Sequence, residues 1–203
     1  MDFVFTDEEH YGEYDSRGGL DYNVPVEGPA SVEPLHVMHV AVEMAPVAKV
    51  GGLADVVTSL GKAVNEEGHL VEAILPKYDC IDYGRVHYLT QKEGFQFMDT
   101  YVNVFEGYVE GVKTNFLDPQ NGNFSVGCVY GRKDDAARFH FFCHAALEFI
   151  LKTGRQPHVL HCHDWSSAPV ARLFWDHYYN TYMGGARIVF TIHNLNYGAD
   201  LIG

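Results

Sequence analysis

Three short clusters of polar residues hold the side chains in this sequence that could do chemistry. They lie at residues 49–55, at residues 161–165 and at His193-Asn194. A lysine and the free amides of a helix N-terminus can bind an anion. A carboxylate can accept hydrogen bonds from hydroxyl groups, and a neutral imidazole can donate one hydrogen bond and accept another. Together, groups of these kinds would suit a phosphorylated sugar.

The first cluster places Gly51-Gly52 between an apolar strand and a helix, with Lys49 before the glycines and Asp55 after them. Glycine lets the backbone take unusual angles and lets a ligand lie close against it. The helix that follows favours a negative charge at its N-terminus. The same spacing also fits a plain strand-to-helix turn, and it matches neither G-x-G-x-x-G nor a phosphate-binding P-loop.

The elements around these clusters alternate between strands and helices. Apolar runs predict strands at residues 36–42, 70–75, 158–162 and 187–192, and the 3.6-residue apolar period predicts helices at 53–67, 138–152 and 166–179. Residues 80–133 break this rhythm with short alternating stretches and glycine turns, which predict a β insertion or hairpins at the edge of the sheet. The fold class is therefore α/β, with a doubly wound parallel sheet.

All three clusters come directly after predicted strands. In an open parallel sheet, ligands bind beyond the carboxyl ends of the strands. We therefore expect Lys49, Asp55, Asp164, His193 and their neighbours to line one cleft.

The second cluster also permits other interpretations. His161 and His163 lie on the same side of a strand, and Asp164 could be a third ligand, yet the sequence shows no further residue nearby that completes a zinc set. We therefore predict no metal. A purely structural alternative is that one histidine of this cluster packs at the strand end. For the third cluster, the corresponding alternative is that the His193-Asn194 pair hydrogen-bonds loop backbone.

Composition excludes several classes of protein. The net charge is −13, and residues 1–33 alone contribute nine acidic residues against one arginine. An acidic chain without a Lys/Arg cluster is a poor binder of nucleic acid or of an anionic membrane. No apolar run reaches membrane-spanning length, and the N-terminus resembles neither a signal peptide nor a transit peptide. The four cysteines lack C-x-x-C spacing and are expected to be free thiols.

The first cluster, read as Lys-x-Gly-Gly-Leu, resembles the N-terminal signature of the bacterial glycogen synthase and plant starch synthase family. The resemblance runs from Val40 to Asp79, and Val50 occupies the variable position as in plant class III and IV members; class III is the nearest. His-x-His-Asp-Trp at 161–165 also resembles this family, as does the loop at 120–124.

This resemblance implies the N-terminal, Rossmann-like half of a glycosyltransferase-B fold. It implies transfer of glucose from ADP-glucose to the non-reducing end of an α-1,4-glucan, with retention of configuration, no cofactor and no metal. A plastid location and other starch-biosynthetic enzymes as partners would follow from it. It also implies the roles of the candidate residues: Asp55, Asp164 and His193 as catalytic groups, with Lys49, Gly51, Gly52, Phe124 and Asn194 as substrate-binding groups.

Two units are expected along the chain. Residues 1–33 resemble the end of a β-rich carbohydrate-binding module followed by a linker, and residues 34–203 resemble an incomplete N-terminal catalytic domain. Because the residues that hold the diphosphate in the second domain of this family are absent, we expect no synthase activity from this chain alone. The alternatives are a non-catalytic glucan-binding or complex-forming fragment, and a different nucleotide enzyme on a similar sheet.

Overall fold

The computed structural model of the protein describes residues 33–194 and, before them, four two-residue strands. These are β1 (Asp2–Phe3), β2 (Phe5–Thr6), β3 (Tyr14–Asp15) and β4 (Tyr22–Asn23). β1 pairs with β4 and β2 pairs with β3, both antiparallel. The chain divides into two compact units, 1–33 and 34–203. The strands fit the predicted β character of the first unit, while its assignment to a carbohydrate-binding module stays a prediction.

The second unit is built on a seven-stranded sheet. Its strands are β5 (His36–Val40), β6 (Leu70–Pro76), β7 (His87–Phe97), β8 (Thr100–Val109), β9 (Val112–Pro119), β10 (Val159–His163) and β11 (Arg187–Thr191). They lie in the order β11-β10-β5-β6-β9-β8-β7. The five strands from β11 to β9 are parallel, and β8 and β7 continue the sheet as antiparallel hairpins. The predicted α/β class with a mainly parallel sheet is confirmed.

Two long helices connect parallel strands of the sheet. Helix α1 (Gly52–Glu66) leads from β5 to β6, and helix α2 (Asp135–Lys152) leads from β9 to β10. The chain thus moves outward from β5 in one direction and then returns to β10 on the other side of β5. Right-handed crossovers in opposite directions put their helices on opposite faces, so the sheet is doubly wound and its strand order reverses between β5 and β10.

Both helices bury an apolar face against the sheet, but the face of α1 is not the stripe of Val56, Val57, Leu60, Ala63 and Val64 that the sequence pattern indicates, because Val56 is exposed. Helix α1 buries Leu53, Ala54 and Val57, and Gly61 lets it approach the sheet closely, because a Cβ there would lie 3.2 Å from Val112. Helix α2 turns its aromatic stripe inward, with Phe139, Phe142, Cys143, Ala146, Leu147 and Ile150 all buried. This packing fixes the start of each helix relative to the strand ends.

Two sequence expectations need correction. The third helix is not continuous over 166–179: it forms α3 (Asp164–Ser167), α4 (Pro169–Leu173) and a π-helical turn (Phe174–Tyr178). Pro169 has no N–H to continue the first segment, which explains the first break. The region 80–133 is also more than an edge insertion, because β9 pairs in parallel with β6 as a regular strand of the main sheet.

Two further features concern the cysteines and the helices. Cys80, Cys128, Cys143 and Cys162 are free thiols, the last two buried. Within the described ranges, none of the helices combines the length and the apolar character that a membrane crossing requires.

Candidate functional site

A pocket of about 750 Å³ opens at the carboxyl ends of β5, β10 and β11, where the strand order reverses. That volume is in the usual range for small-molecule sites, and the switch point is where doubly wound sheets bind ligands. Four segments form the wall: the β5–α1 loop with the start of α1, the loop before α2 with the first residue of that helix, the β10–α3 junction and the residues after β11. The lining residues are Glu43, Val50, Gly51, Gly52, Leu53, Val56, Tyr130, Gly131, Asp135, Asp164, Trp165, His193 and Asn194.

Asp164 sits at the junction of β10 and α3, with only 8% of its surface exposed. Its backbone lies in the left-handed region, at a φ of 61°. This conformation costs a residue with a Cβ about 1–2 kcal/mol, although Asp tolerates it better than most. Strain of this kind concentrates at functional sites, where the surrounding structure holds the side chain in place.

Glu43 supports the glycine loop through hydrogen bonds to the loop backbone. Its Oε2 accepts hydrogen bonds from the amides of Val50 at 2.6 Å and Gly51 at 2.9 Å, and the side chain is almost fully buried. Helix α1 has no side-chain cap, so the amides of its first turn depend on other acceptors. The carboxylate therefore fixes the backbone of the loop beside the pocket, and it occupies the Gly51 amide that the sequence suggested for a ligand.

Tyr130 and Asp135 bring the loop before α2 to the pocket. Tyr130 hydrogen-bonds Glu43, and burial followed by that neighbouring carboxylate raises the pKa of the phenol. Asp135 Oδ2 accepts from the Gly131 amide at 2.8 Å, and its Oδ1 accepts from Arg138 at 2.8 Å. Gly131 has a φ of 104°, an angle that favours glycine.

Arg138 anchors the same loop from inside the core. Its side chain is fully buried and donates hydrogen bonds to the carbonyls of Asn123 at 2.9 Å and Val129 at 2.7 Å. Phe124 lies under the guanidinium and edge-on to Tyr78. The structure thus places Phe124 in the core, away from the pocket wall.

The structure brings together five of the eight predicted site residues. Gly51, Gly52, Asp164, His193 and Asn194 line the pocket.

Lys49, Asp55 and Phe124 lie outside the pocket lining. Lys49 Nζ is 2.8 Å from Asp55 Oδ1, and both side chains are about half exposed. All three clusters thus reach one pocket, but the first does so through its glycines and not through Lys49 or Asp55. The predicted roles of these residues stay predictions.

Four polar or aromatic wall residues were not among the predicted site residues: Glu43, Tyr130, Asp135 and Trp165. The position of Glu43 could have been predicted from the sequence. It lies three residues after a strand and ahead of a glycine loop, where the loop amides need a hydrogen-bond acceptor. Tyr130 lies in an irregular loop whose course the local sequence does not fix.

Four histidines gather beside and beneath the wall. His161 and His163 stack face to face with ring centroids 4.2 Å apart, as their common strand face predicted. His39 of β5 joins them, and one ligand atom from each of His39, His161 and His163 lies within 4.8 Å of the others. The sequence did not reveal this third histidine. Burial, reinforced by neighbouring imidazoles, lowers the pKa of His39 to about 3 and that of His163 to about 2.

Comparisons with known proteins agree with this architecture. A family model described as the starch synthase catalytic domain matches residues 36–201. Starch synthase 3 of Arabidopsis thaliana is 57% identical over the whole chain, which covers 20% of that protein. Soluble starch synthase 3 of Solanum tuberosum is 54% identical over the whole chain, which covers 17% of it.

A solved structure gives the same result. The catalytic domain of starch synthase IV from Arabidopsis thaliana, bound to ADP and acarbose, superimposes with a TM-score of 0.77 at 48% identity. The match covers 79% of this chain and 34% of that one. The fold is the Rossmann-like N-terminal half of a glycosyltransferase-B enzyme. The chain spans about a fifth or less of the plant starch synthase 3 proteins, and it belongs to the starch synthase catalytic-domain family.

Proposed function

We propose that this chain supplies the sugar-binding wall of a starch synthase that transfers glucose from ADP-glucose to the non-reducing end of an α-1,4-glucan with retention. The observation that carries the proposal is the pocket at the strand-order reversal, which joins Asp164, His193 and the Gly51-Gly52 loop. Family membership supports it independently. The relatives' names include chloroplastic/amyloplastic, which supports a plastid location for the natural protein.

The charges on the wall favour the glucose part of the donor. Three carboxylates line the pocket, from Glu43, Asp135 and Asp164, and the described lining includes no lysine or arginine. Carboxylates accept hydrogen bonds from sugar hydroxyl groups but repel phosphate oxygens. Asp164 is the carboxylate we assign to the sugar, because the other two already bind loop amides.

The anionic part of the donor fits at the edge of this wall. The first turn of α1 begins at Gly52, and its dipole and amides favour a negative charge. Lys49 lies on the loop just before that helix, within reach of Asp55. In this proposal the diphosphate leaves toward α1, and the amides together with Lys49 stabilise its developing charge. We assign no covalent nucleophile, and we propose that neither metal nor cofactor takes part.

The activity is tested in the natural protein that contains these residues. Radiolabel from ADP-glucose should enter a glycogen or amylopectin primer, and Asp164→Asn should lower kcat/KM at least a hundredfold, since hydrogen bonds that strengthen in the transition state contribute several kcal/mol. The exposed Asp176→Asn serves as a matched control, because its carboxylate pairs with Arg172 on the surface. Full activity of Asp164→Asn would contradict the assignment.

The 203-residue chain itself should show no transfer. A transferase of this type reacts its substrates between two domains, so one wall alone loses most of the positioning effect. Primer elongation by the purified chain would contradict this expectation. Retention of the chain on amylopectin, without any effect of ADP-glucose on its tryptophan fluorescence spectrum, would instead favour the glucan-binding alternative.

A further inference from the structure

Three histidines form a continuous line from the buried centre of the sheet to the pocket wall. His39 lies in β5, His163 ends β10, and His193 follows β11. His39 and His163 are completely buried, whereas His193 lines the pocket. The line therefore connects the sheet interior to a side chain that a ligand can touch.

Both contacts in this line are hydrogen bonds between ring edges. His39 Nδ1 lies 2.8 Å from His163 Nε2, and His163 Nδ1 lies 3.0 Å from His193 Nε2. The ring centroids are 5.1 and 5.3 Å apart. In both contacts the centroid separation exceeds the N···N distance by the same amount, which is the sum of two ring radii and is expected when rings meet edge to edge. The interplanar angles of 28° and 27° fit nearly coplanar rings. His163 thus uses both of its nitrogens in the line.

This geometry couples the tautomers of the three rings. The lowered pKa values of His39 and His163 keep both rings neutral at pH 7, and a neutral imidazole has one N–H and one acceptor nitrogen. Each N···N contact needs one proton. If His163 donates from Nδ1 it must accept at Nε2, and the reverse also holds. With His193 neutral, all three rings therefore protonate at Nδ1, or all three at Nε2.

The buried end of the line decides between these two arrangements. Nε2 of His39 is buried and has no hydrogen-bond partner among the described residues. Protonation at Nε2 would leave an unpaired buried N–H, whereas protonation at Nδ1 leaves only an unpaired acceptor. Unpaired buried donors are the rarer of the two in folded proteins. The arrangement with three Nδ1–H groups is favoured.

We propose that His163, backed by His39, is a positioning residue that fixes the tautomer of His193. His193 then accepts at Nε2 and holds its proton at Nδ1, which makes it a hydrogen-bond donor at the pocket wall. That Nδ1–H would donate to an oxygen of the bound sugar; this last step rests on the proposed function, whereas the tautomer coupling does not.

A metal site is the competing interpretation of the same cluster. Zinc binds imidazole nitrogens at about 2.0–2.1 Å in a tetrahedral arrangement. The facing nitrogens of His39 and His163 are only 2.8 Å apart, which suits a shared proton and leaves no room for an ion between them. His161 stacks on the face of His163 and directs Nε2 to Thr191 Oγ1 at 2.7 Å. Stacked rings point their lone pairs in parallel planes, so the geometry favours the hydrogen-bonded line.

The test is direct observation of the tautomers by NMR of the 15N-histidine-labelled 203-residue chain at pH 7.5, without nucleotide sugar. Protonated and unprotonated ring nitrogens differ widely in 15N shift. We expect Nδ1–H in His39, His163 and His193, with a coupling across the hydrogen bond between His39 and His163. Protonation of His193 at Nε2, or a mixture of tautomers in the wild-type chain, would overturn the proposal.

Two variants separate positioning from structural support. His163→Leu should convert His193 from one tautomer to a mixture, because the partner of its Nε2 is gone. His161→Leu is the matched control: it removes the stacked neighbour of the same strand and should leave the His193 tautomer unchanged. An unaltered His193 in His163→Leu would contradict the proposal, and if that variant does not fold, the wild-type spectrum still decides.

A titration of the labelled chain with zinc chloride completes the test. Joint shifts of the His39, His161 and His163 ring nitrogens at stoichiometric zinc would show metal binding and overturn the hydrogen-bonded line. Unchanged shifts support it. Because no donor sugar is present, failure of this proposal is distinguishable from failure of the transferase activity.

Discussion

Acid should destabilise this protein through histidines that are buried without charge. Burial lowers the pKa of His39 to about 3 and that of His163 to about 2, both well below the ordinary 6.5. The unfolded chain therefore binds more protons than the folded chain once the pH falls below about 6.5. The free energy of unfolding must decrease over that range, and the loss continues until the pH approaches the folded pKa values.

The magnitude follows from the two pKa values. For one histidine that titrates at 6.5 when unfolded and near 3 when folded, lowering the pH from 8 to 5 costs about 2 kcal/mol. His39 and His163 together cost about 4 kcal/mol, a large share of the 5–15 kcal/mol that stabilises a typical domain. Glu72 does not interfere. Burial would raise its pKa, but His36, Asn115 and two cations lower it to about 2, so its contribution is lost only below pH 4.5.

Urea unfolding between pH 5 and 8, followed by tryptophan fluorescence, measures this effect. His39→Leu fills the same space without a titrating group, so its free energy of unfolding should fall by about 2 kcal/mol less than that of the wild type over this range. His87→Gln, an exposed histidine on β7, is the control and should keep the full pH dependence. A His39→Leu protein with the wild-type pH dependence would refute the assignment of a buried neutral imidazole.

Two further substitutions test the shape of the pocket. Glu43→Ala leaves the Gly51 amide and its neighbour without an acceptor, so hydrogen exchange of the loop should quicken and the free energy of unfolding should fall by about 1–3 kcal/mol, whereas Glu43→Gln keeps an acceptor oxygen and should lose less. Equal exchange in the two variants would argue against this role. Asp164→Asn should be about 1 kcal/mol more stable to urea than Asp164→Ala, because Asn tolerates a φ of 61° and Ala does not; equal stability would contradict the strain argument.

The sequence predicted the elements whose pattern is local. The aromatic stripe of α2 and the glycine loop before α1 contain enough information to place both helices to within about three residues. The parallel position of β9 did not follow in the same way. It depends on pairing with β6, where Glu72 meets Lys113 and Asn115 across the strands, and such long-range registers leave no local pattern.

The candidate site was predictable to the level of strand ends. The rule that ligands bind at the carboxyl edge placed Asp164 and His193 on one wall. The sequence did not predict that His39 would join the histidine cluster, because this residue lies inside an apolar strand. It reaches the cluster only through the strand register that sets it opposite His161. The direction of a side chain on a loop or first helical turn was equally hidden, which is why Asp55 was expected on the wall.

Charge explains why Lys49 and Asp55 lie where they do. The described wall has three carboxylates, so a lysine among them would form buried ion pairs and leave fewer oxygens for sugar hydroxyl groups. Asp55 instead holds Lys49 at the rim, where both side chains are half exposed and the pair is weak enough to exchange partners. In the proposed function, a diphosphate at the start of α1 would carry more charge than Asp55 and would compete for the lysine. The same proposal would place a wall for sugar hydroxyl groups and a rim for phosphate within a few residues of one loop.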